Sequence, residues 1–162
     1  MPLLPQLSRL WIPHYLLAGL ECERRAHHPC ETGGVLLGRH LPDQGVAVEI
    51  VIGPGPKARH EPRIFEPDTE WQRRLVAEAY ATSARTLSYL GDWHSHTSGN
   101  LLASVQDWRA ALSIARFPEA RCPAPIMLIV GDGQGAQPRL AAYRLLHKLL
   151  IPTLVTSEWT GT

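Results

Sequence analysis

Apolar and polar positions along the chain switch between a two-residue period and a period of three to four, and these switches mark out the elements. RLWIP, residues 9–13, reads as a short strand. In HYLLAGLECERRAHH, Tyr15, Leu16, Ala18, Leu20 and Cys22 recur beside Glu21, Glu23, Arg24 and Arg25, which predicts an amphipathic helix ending near Pro29. GGVLLGRHL and GVAVEIVIG are two apolar, β-branched-leaning runs separated by PDQ before Gly45, so an antiparallel hairpin is expected. Pro54, Pro56, Pro62 and Pro67 then rule out a regular element over residues 53–67, leaving a long loop of the kind that often carries function.

DTEWQRRLVAEAYATSAR opens on Asp68 before Thr69 and Glu70, and places Trp71, Leu75, Val76 and Ala79 at helical spacing. TLSYLGDWHSH has strand character and carries His94 and His96 to its end. SVQDWRAALSIARF follows as a helix capped by Ser104, and APIMLIVG reads as a central strand. PRLAAYRLL and LLIPTLVTSEW are expected as closing strands, although the first also fits a helix. Strands interspersed with helices and hairpins imply an α/β or α+β fold, with a mixed sheet flanked by helices.

The chain has 162 residues, a usual length for one domain, and is read as a single domain over 1–162. Its 16 basic and 15 acidic residues are mixed and sum to +1, so charge gives no case for nucleic acid or an anionic membrane as main partner. Cys22, Cys30 and Cys122 form no CxxC pair and cannot all pair internally, which points to a reducing cytoplasm. Pro2, Pro5 and Pro13 interrupt the apolar N-terminal stretch, which therefore reads as neither a signal peptide nor a membrane span.

On a strand, side chains two apart share a side, so His94 and His96 can aim at one point while Ser95 faces away. If Ser104 caps the next helix, Asp107 lies in its first turn and a short loop can fold it back toward the strand end. Zinc accepts imidazole nitrogens and carboxylate oxygens at about 2.0–2.2 Å, and catalytic sites commonly leave a fourth position for water. His94, His96 and Asp107 form such a set. A serine followed three residues later by an acid is also a capping box and needs no chemistry; one hydroxyl can serve both purposes.

Ligands alone supply no proton acceptor. Glu31, at the junction of the first helix and a buried-type strand, directly before Thr32, Gly33 and Gly34, is a candidate base; the same position also suits an ordinary helix-end charge.

ETGGVLLG upstream with HSHTSGNLLASVQD downstream resembles the JAMM signature of JAB/MPN metalloproteases, in which a glutamate precedes HxHxxxxxxxSxxD. The likeness covers roughly residues 9–146 and is with the prokaryotic branch. It implies a cytidine-deaminase-like fold around one zinc (Zn2+) per chain, and hydrolysis of isopeptide or peptide bonds after the C-terminus of ubiquitin or a ubiquitin-like protein. His94, His96 and Asp107 would then hold the zinc, Glu31 would be the general base, and Ser104 would donate to the oxyanion. Many members have proline after the second histidine, where this chain has Thr97. The family's ubiquitin-gripping insertions would fall near residues 53–67 and 117–125, both short here.

The resemblance extends to settings and partners. Prokaryotic relatives occur beside ubiquitin-activating-like and conjugating-like enzymes, including anti-phage operons, while others trim tails from ubiquitin-like sulfur carriers. A non-catalytic MPN scaffold is the competing class; such domains usually lack ligands, and here each is present.

Other motifs have plainer readings. GDGQGAQP lacks the GK[ST] of a phosphate loop and reads as a hairpin or loop; His27 and His28 end a surface helix. His60–Glu61 has neither the spacing nor the paired cysteines of a zinc deaminase. Trp93 and Trp108, flanking the motif, are assigned to core packing, with a groove wall as the lesser reading.

Overall fold

The computed structural model describes residues 8–42, 45–134 and 137–157. Residues 1–7, 43–44 (within PDQ), 135–136 (within GDGQGAQP) and 158–162 lie outside the described residues. In chain order the elements are β1 (Arg9–Trp11), α1 (His14–His27), β2 (Gly33–His40), β3 (Val46–Ile52), β4 (Arg59–His60), β5 (Phe65–Glu66), α2 (Thr69–Thr82), β6 (Ser88–Ser95), α3 (Val105–Arg116), β7 (Ile126–Gln134), β8 (Gln137–Leu146) and β9 (Leu149–Thr156).

A strand that is apolar at successive positions needs cover on both faces. In β2, Leu36 faces Leu17 and Leu20 of α1 together with Leu90, Leu128 and Val130, whereas Val35 and Leu37 face the other way. There they meet Ile52 and the Trp71, Leu75, Val76 and Ala79 stripe of α2. Beside that cluster, α3 lays Ala111, Leu112 and Ala115 over Met127 and Leu145. One helix thus covers one face of the sheet and two cover the other, the α+β arrangement the pattern implies.

Strand order is β1–β3–β2–β6–β7–β8–β9, and β9 returns to pair with β1 in parallel, so the sheet closes on itself. The pairs β2–β3, β2–β6, β7–β8 and β8–β9 are antiparallel, whereas β6–β7 is parallel. PRLAAYRLL, also compatible with a helix, is strand: its edges are taken by β7 and β9, which supply the backbone partners. Gln134 pairs with Gln137, so the described residues of GDGQGAQP belong to the antiparallel strands β7 and β8. The proline-rich loop departs from expectation by folding β4 and β5 into a two-stranded ribbon, Arg59 opposite Glu66 and His60 opposite Phe65.

The buried face of α1 is also not the expected one. Tyr15 is 69% exposed and Cys22 exposed, and the inward residues are Leu17, Leu20, Glu21 and Arg24. Two charges enter the interior because they satisfy one another. Arg24 Nε and Nη2 donate to the two Glu21 oxygens at 2.8 Å each, Nη2 also reaches Asp132 Oδ1 at 3.1 Å, and Arg25 Nε donates to Glu21 at 2.6 Å. The Arg24 hydrogen bond, opposed by burial and assisted by Arg25, holds the Glu21 carboxyl below its ordinary value.

Replacing Arg24 with methionine leaves Glu21 buried with only Arg25 and is expected to cost about 3 kcal/mol in urea unfolding. Glu21→Leu combined with Arg24→Met should recover most of that loss. Because folding lowers the Glu21 pKa, the pair's stabilisation is present above the unfolded value and is lost as pH falls below about 4. Acid titration of the double variant should lack this component.

The three cysteines are unpaired, and no helix among the described residues is long and apolar enough to cross a membrane.

Candidate functional site

The site begins with the register of β6 on β2. Gly33 pairs with His94 and Gly34 with Trp93. Ser95, 1% exposed, turns inward; its Oγ accepts from the Thr32 amide at 3.0 Å while its own amide donates to the Thr32 carbonyl at 2.8 Å. His94 and His96 therefore project from the opposite side. His96 lies one residue past the strand, where its amide donates to the Val130 carbonyl at 3.0 Å. Its Nδ1 lies 2.9 Å from the Asn100 carbonyl, an acceptor only, so Nδ1 carries a proton and Nε2 is the ring nitrogen left to face Asp107 or a metal.

The close approach at Gly34 is required by packing. A Cβ there would lie 1.8 Å from the Ile52 carbonyl oxygen and 2.7 Å from the Trp93 indole nitrogen. That nitrogen donates to the same carbonyl at 3.0 Å, and Trp93, 1% exposed, is the core residue its sequence position implies.

α3 delivers the carboxylate. Ser104 Oγ accepts from the Asp107 amide at 3.1 Å and the Ser104 amide donates to Asp107 Oδ2 at 2.6 Å, a reciprocal capping box. Asp107 is thereby fixed in the first turn with its carboxylate buried against the histidines. His94 Nε2 lies 2.9 Å from Asp107 Oδ1, His96 Nε2 3.6 Å from Oδ2, and the two Nε2 atoms 3.0 Å apart. Both readings of Ser104 and Asp107 are geometrically compatible: the cap is formed, and the same carboxylate faces the imidazoles.

Burial would raise the Asp107 carboxyl, but hydrogen bonds from His94 and His96 outweigh it and hold the group far below the usual carboxylate range. The Asp107 hydrogen bond in turn raises His96 against the opposing effect of burial.

These atoms fit a metal ion. Ligands about 2.0–2.1 Å from a tetrahedral centre lie about 3.3 Å from one another, and the three separations here, 2.9, 3.0 and 3.6 Å, bracket that value. Two imidazole lone pairs at 3.0 Å repel unless a proton or a cation lies between them. Among the described residues His94, His96 and Asp107 are the group that offers three converging ligand atoms. A nitrogen-rich set with one carboxylate suits zinc over magnesium or calcium.

Glu31 enters through the same strand pair. Continuing the register from Gly33–His94 through Thr32–Ser95 brings Glu31 beside His96. Its carboxyl is half-buried, and burial raises its pKa more than the histidine charges lower it. Its backbone is held by the ribbon: the Glu31 amide donates to the Glu61 carbonyl at 3.0 Å, and His60 Nδ1 lies 3.0 Å from the Glu31 carbonyl. His27, expected only at a surface helix end, is half-buried and stacks on His60 with centroids 3.7 Å apart.

The loop after His96 has its own ties in place of proline. Thr97 Oγ1 donates to the Pro62 carbonyl at 3.2 Å. Beyond Ser104 lies a groove of about 420 Å³, walled by Leu102, Val105, Trp108, Tyr143 and Leu150. Trp108 thus departs from its expected core role: it is 36% exposed, with its indole N–H held by the Lys148 carbonyl at 2.7 Å. His60 and Asn100 carried no readable signal, because their contacts with Glu31 and His96 exist only after folding.

A mixed sheet that presents two imidazoles at a strand end to a carboxylate on the next helix defines an α+β domain with a centre that could hold a metal ion. The sequence profile of prokaryotic homologs of the JAB domain matches residues 16–146, and the chain belongs to that family. It is 34% identical over 126 residues to the protein named Probable metalloprotease y4qB from Sinorhizobium fredii, covering 76% of both chains. It is 30% identical over 113 residues to the CD-NTase/cGAS isopeptidase of Enterobacter hormaechei, covering 69% of this chain and 61% of that one. The solution structure of a protein from Desulfitobacterium hafniense matches with a TM-score of 0.68 over 91% of each chain at 20% identity, a likeness of fold.

Proposed function

We propose that this chain is a zinc-dependent peptidase that cleaves the isopeptide or peptide bond after the C-terminus of a ubiquitin-like protein, with one zinc held by His94, His96 and Asp107. The observation that carries this reading is the convergence of three ligand atoms at a strand end whose register brings Glu31 alongside. The metalloprotease and isopeptidase names of two relatives support the reaction class.

Zinc, when bound, supplies Lewis acidity that acidifies water and polarises a carbonyl oxygen. Glu31 accepts the proton of the attacking water and returns it to the leaving amine. Burial raises its pKa toward the range where a carboxylate is an effective base at neutral pH. Ser104 Oγ already accepts the Asp107 amide, so its own proton is left for the developing oxyanion, an interaction typically worth about 3–4 kcal/mol. In this reading the chain is a single cytoplasmic domain acting on ubiquitin-like conjugates beside activating and conjugating enzymes of the same operon. The cytoplasmic setting is supported by the unpaired cysteines, and action on a protein conjugate by the isopeptidase name of the second relative.

The test is direct. Purified protein is expected to hold about one zinc per chain by elemental analysis and to release a ubiquitin-like protein from a linear fusion. A chelator should stop the release and added zinc restore it. Protein that holds no zinc when expressed with ample metal, yet still binds a partner, would establish the scaffold reading instead.

A further inference from the structure

The β4–β5 ribbon contributes no ligand, yet it supplies both partners of the Glu31 backbone. Glu31 lies between α1 and β2, outside any regular element, so no helix or strand ladder satisfies its amide and carbonyl. Glu61 accepts the amide and His60 donates to the carbonyl, each at 3.0 Å. The neighbours are fixed independently: the Cys30 amide donates to the His27 carbonyl at 2.7 Å, and Thr32 is locked to Ser95. Glu31 is therefore the point where two rigid stretches meet, and the ribbon fixes the orientation of its peptide.

The His60 ring is itself held in place. His27 stacks on it at 3.7 Å and 18°, and Phe65 packs at 5.5 Å and 35°. Phe65 also closes the space over Gly33, where a Cβ would come within 2.8 Å of the Phe65 ring. Because a carbonyl accepts only, His60 Nδ1 must carry the proton, the tautomer disfavoured in a free neutral imidazole side chain. The adjoining Pro62 carbonyl accepts from Thr97, so residues 60–62 join the segment carrying Glu31 to the loop that leaves His96.

We propose that His60 is a positioning residue for Glu31, its Nδ1–H···O bond to the Glu31 carbonyl fixing the backbone from which the carboxylate reaches the site. This rests on the reading of Glu31 as the base. A displacement of 1 Å at a reacting group can cost about 100-fold in rate, so a single backbone anchor has a measurable effect without touching substrate.

Three variants separate the donor from the ring. His60→Phe keeps the stack and removes the donor, His60→Asn places an amide nitrogen where Nδ1 stood, and His60→Ala removes both. With zinc-loaded full-length protein and a linear ubiquitin-like fusion as substrate, His60→Phe and His60→Ala should lower kcat by about 10- to 100-fold, with KM and zinc content unchanged. His60→Asn should recover most of the rate. His60→Phe at the wild-type rate, or His60→Asn as impaired as His60→Ala, overturns the proposal.

A second measurement needs no turnover. Long-range 15N spectra of the metal-free protein should show His60 protonated on Nδ1; protonation on Nε2 instead removes the bond and the proposal with it. Full activity in Glu31→Gln would remove the base reading, whereas inactive Glu31→Gln beside fully active His60→Phe removes only the positioning role.

Discussion

Glu31→Gln should retain its zinc and lose about 10²- to 10⁴-fold in turnover, the usual contribution of a positioned general base. The substitution conserves shape, and the Glu31 backbone contacts to Glu61 and His60 do not involve the side chain. The proposed ligand atoms belong to His94, His96 and Asp107, so the metal should remain. An amide cannot accept the proton of an attacking water at neutral pH. Parallel zinc analysis and single-turnover cleavage of a ubiquitin-like fusion check both halves of the expectation. Unchanged turnover would strip Glu31 of its role, and lost zinc would show that the substitution had disturbed the ligand set instead.

Asp107→Asn should act on the metal itself. Loss of an outer partner of a ligand typically costs about 10- to 100-fold in metal affinity, so loss of a ligand's charge should cost at least about 100-fold, read by competition with a chelator of known affinity. The same side chain closes the capping box of α3, so a further penalty of about 1 kcal/mol is expected in the metal-free protein. This penalty should depend on pH. Asp107 raises the pKa of His96 in the folded state, so the pair's stabilisation is fully present below the unfolded histidine value near 6.5 and is lost as pH rises through the folded value. Melting curves of the metal-free proteins at pH 5.5 and at pH 9 should therefore differ more at the lower pH. A variant that binds zinc as tightly as the parent would exclude Asp107 from the ligand set.

Much of the fold was legible because its signals are local. The continuous apolar runs in GGVLLGRHL and APIMLIVG, Asp68 before α2 and Ser104 before α3 each report on neighbours within a few residues. The clustering of His94, His96 and Asp107 was legible for the same reason, being carried by one strand end and the first turn of the next helix. What pattern reading missed is non-local. It assigned Glu21 and Arg24 to a solvated face, because periodicity counts charge as exposed and cannot register a bidentate partner that removes the cost of burial. Closure of the sheet depends on β1 lying between β3 and β9, a pairing that three residues of sequence do not encode. His60 could be tested only against a metal-ligand template, which it fails, because its partner is a backbone carbonyl 29 residues earlier.

The parts of the site also differ in how they assemble. His94, His96 and Asp107 fall within residues 94–107, whereas Glu31 reaches them through the Thr32–Ser95 pairing, whose members are 63 residues apart. Short loops close sooner than contacts distant along the chain. With the proposed roles, a nascent or partly unfolded molecule would gather the candidate metal ligands before it owns the proposed base. On the roles proposed above, hydrolytic competence would be coupled to completion of the sheet, so a chain that had loaded its ion but not yet docked β2 on β6 would be held inert by topology alone.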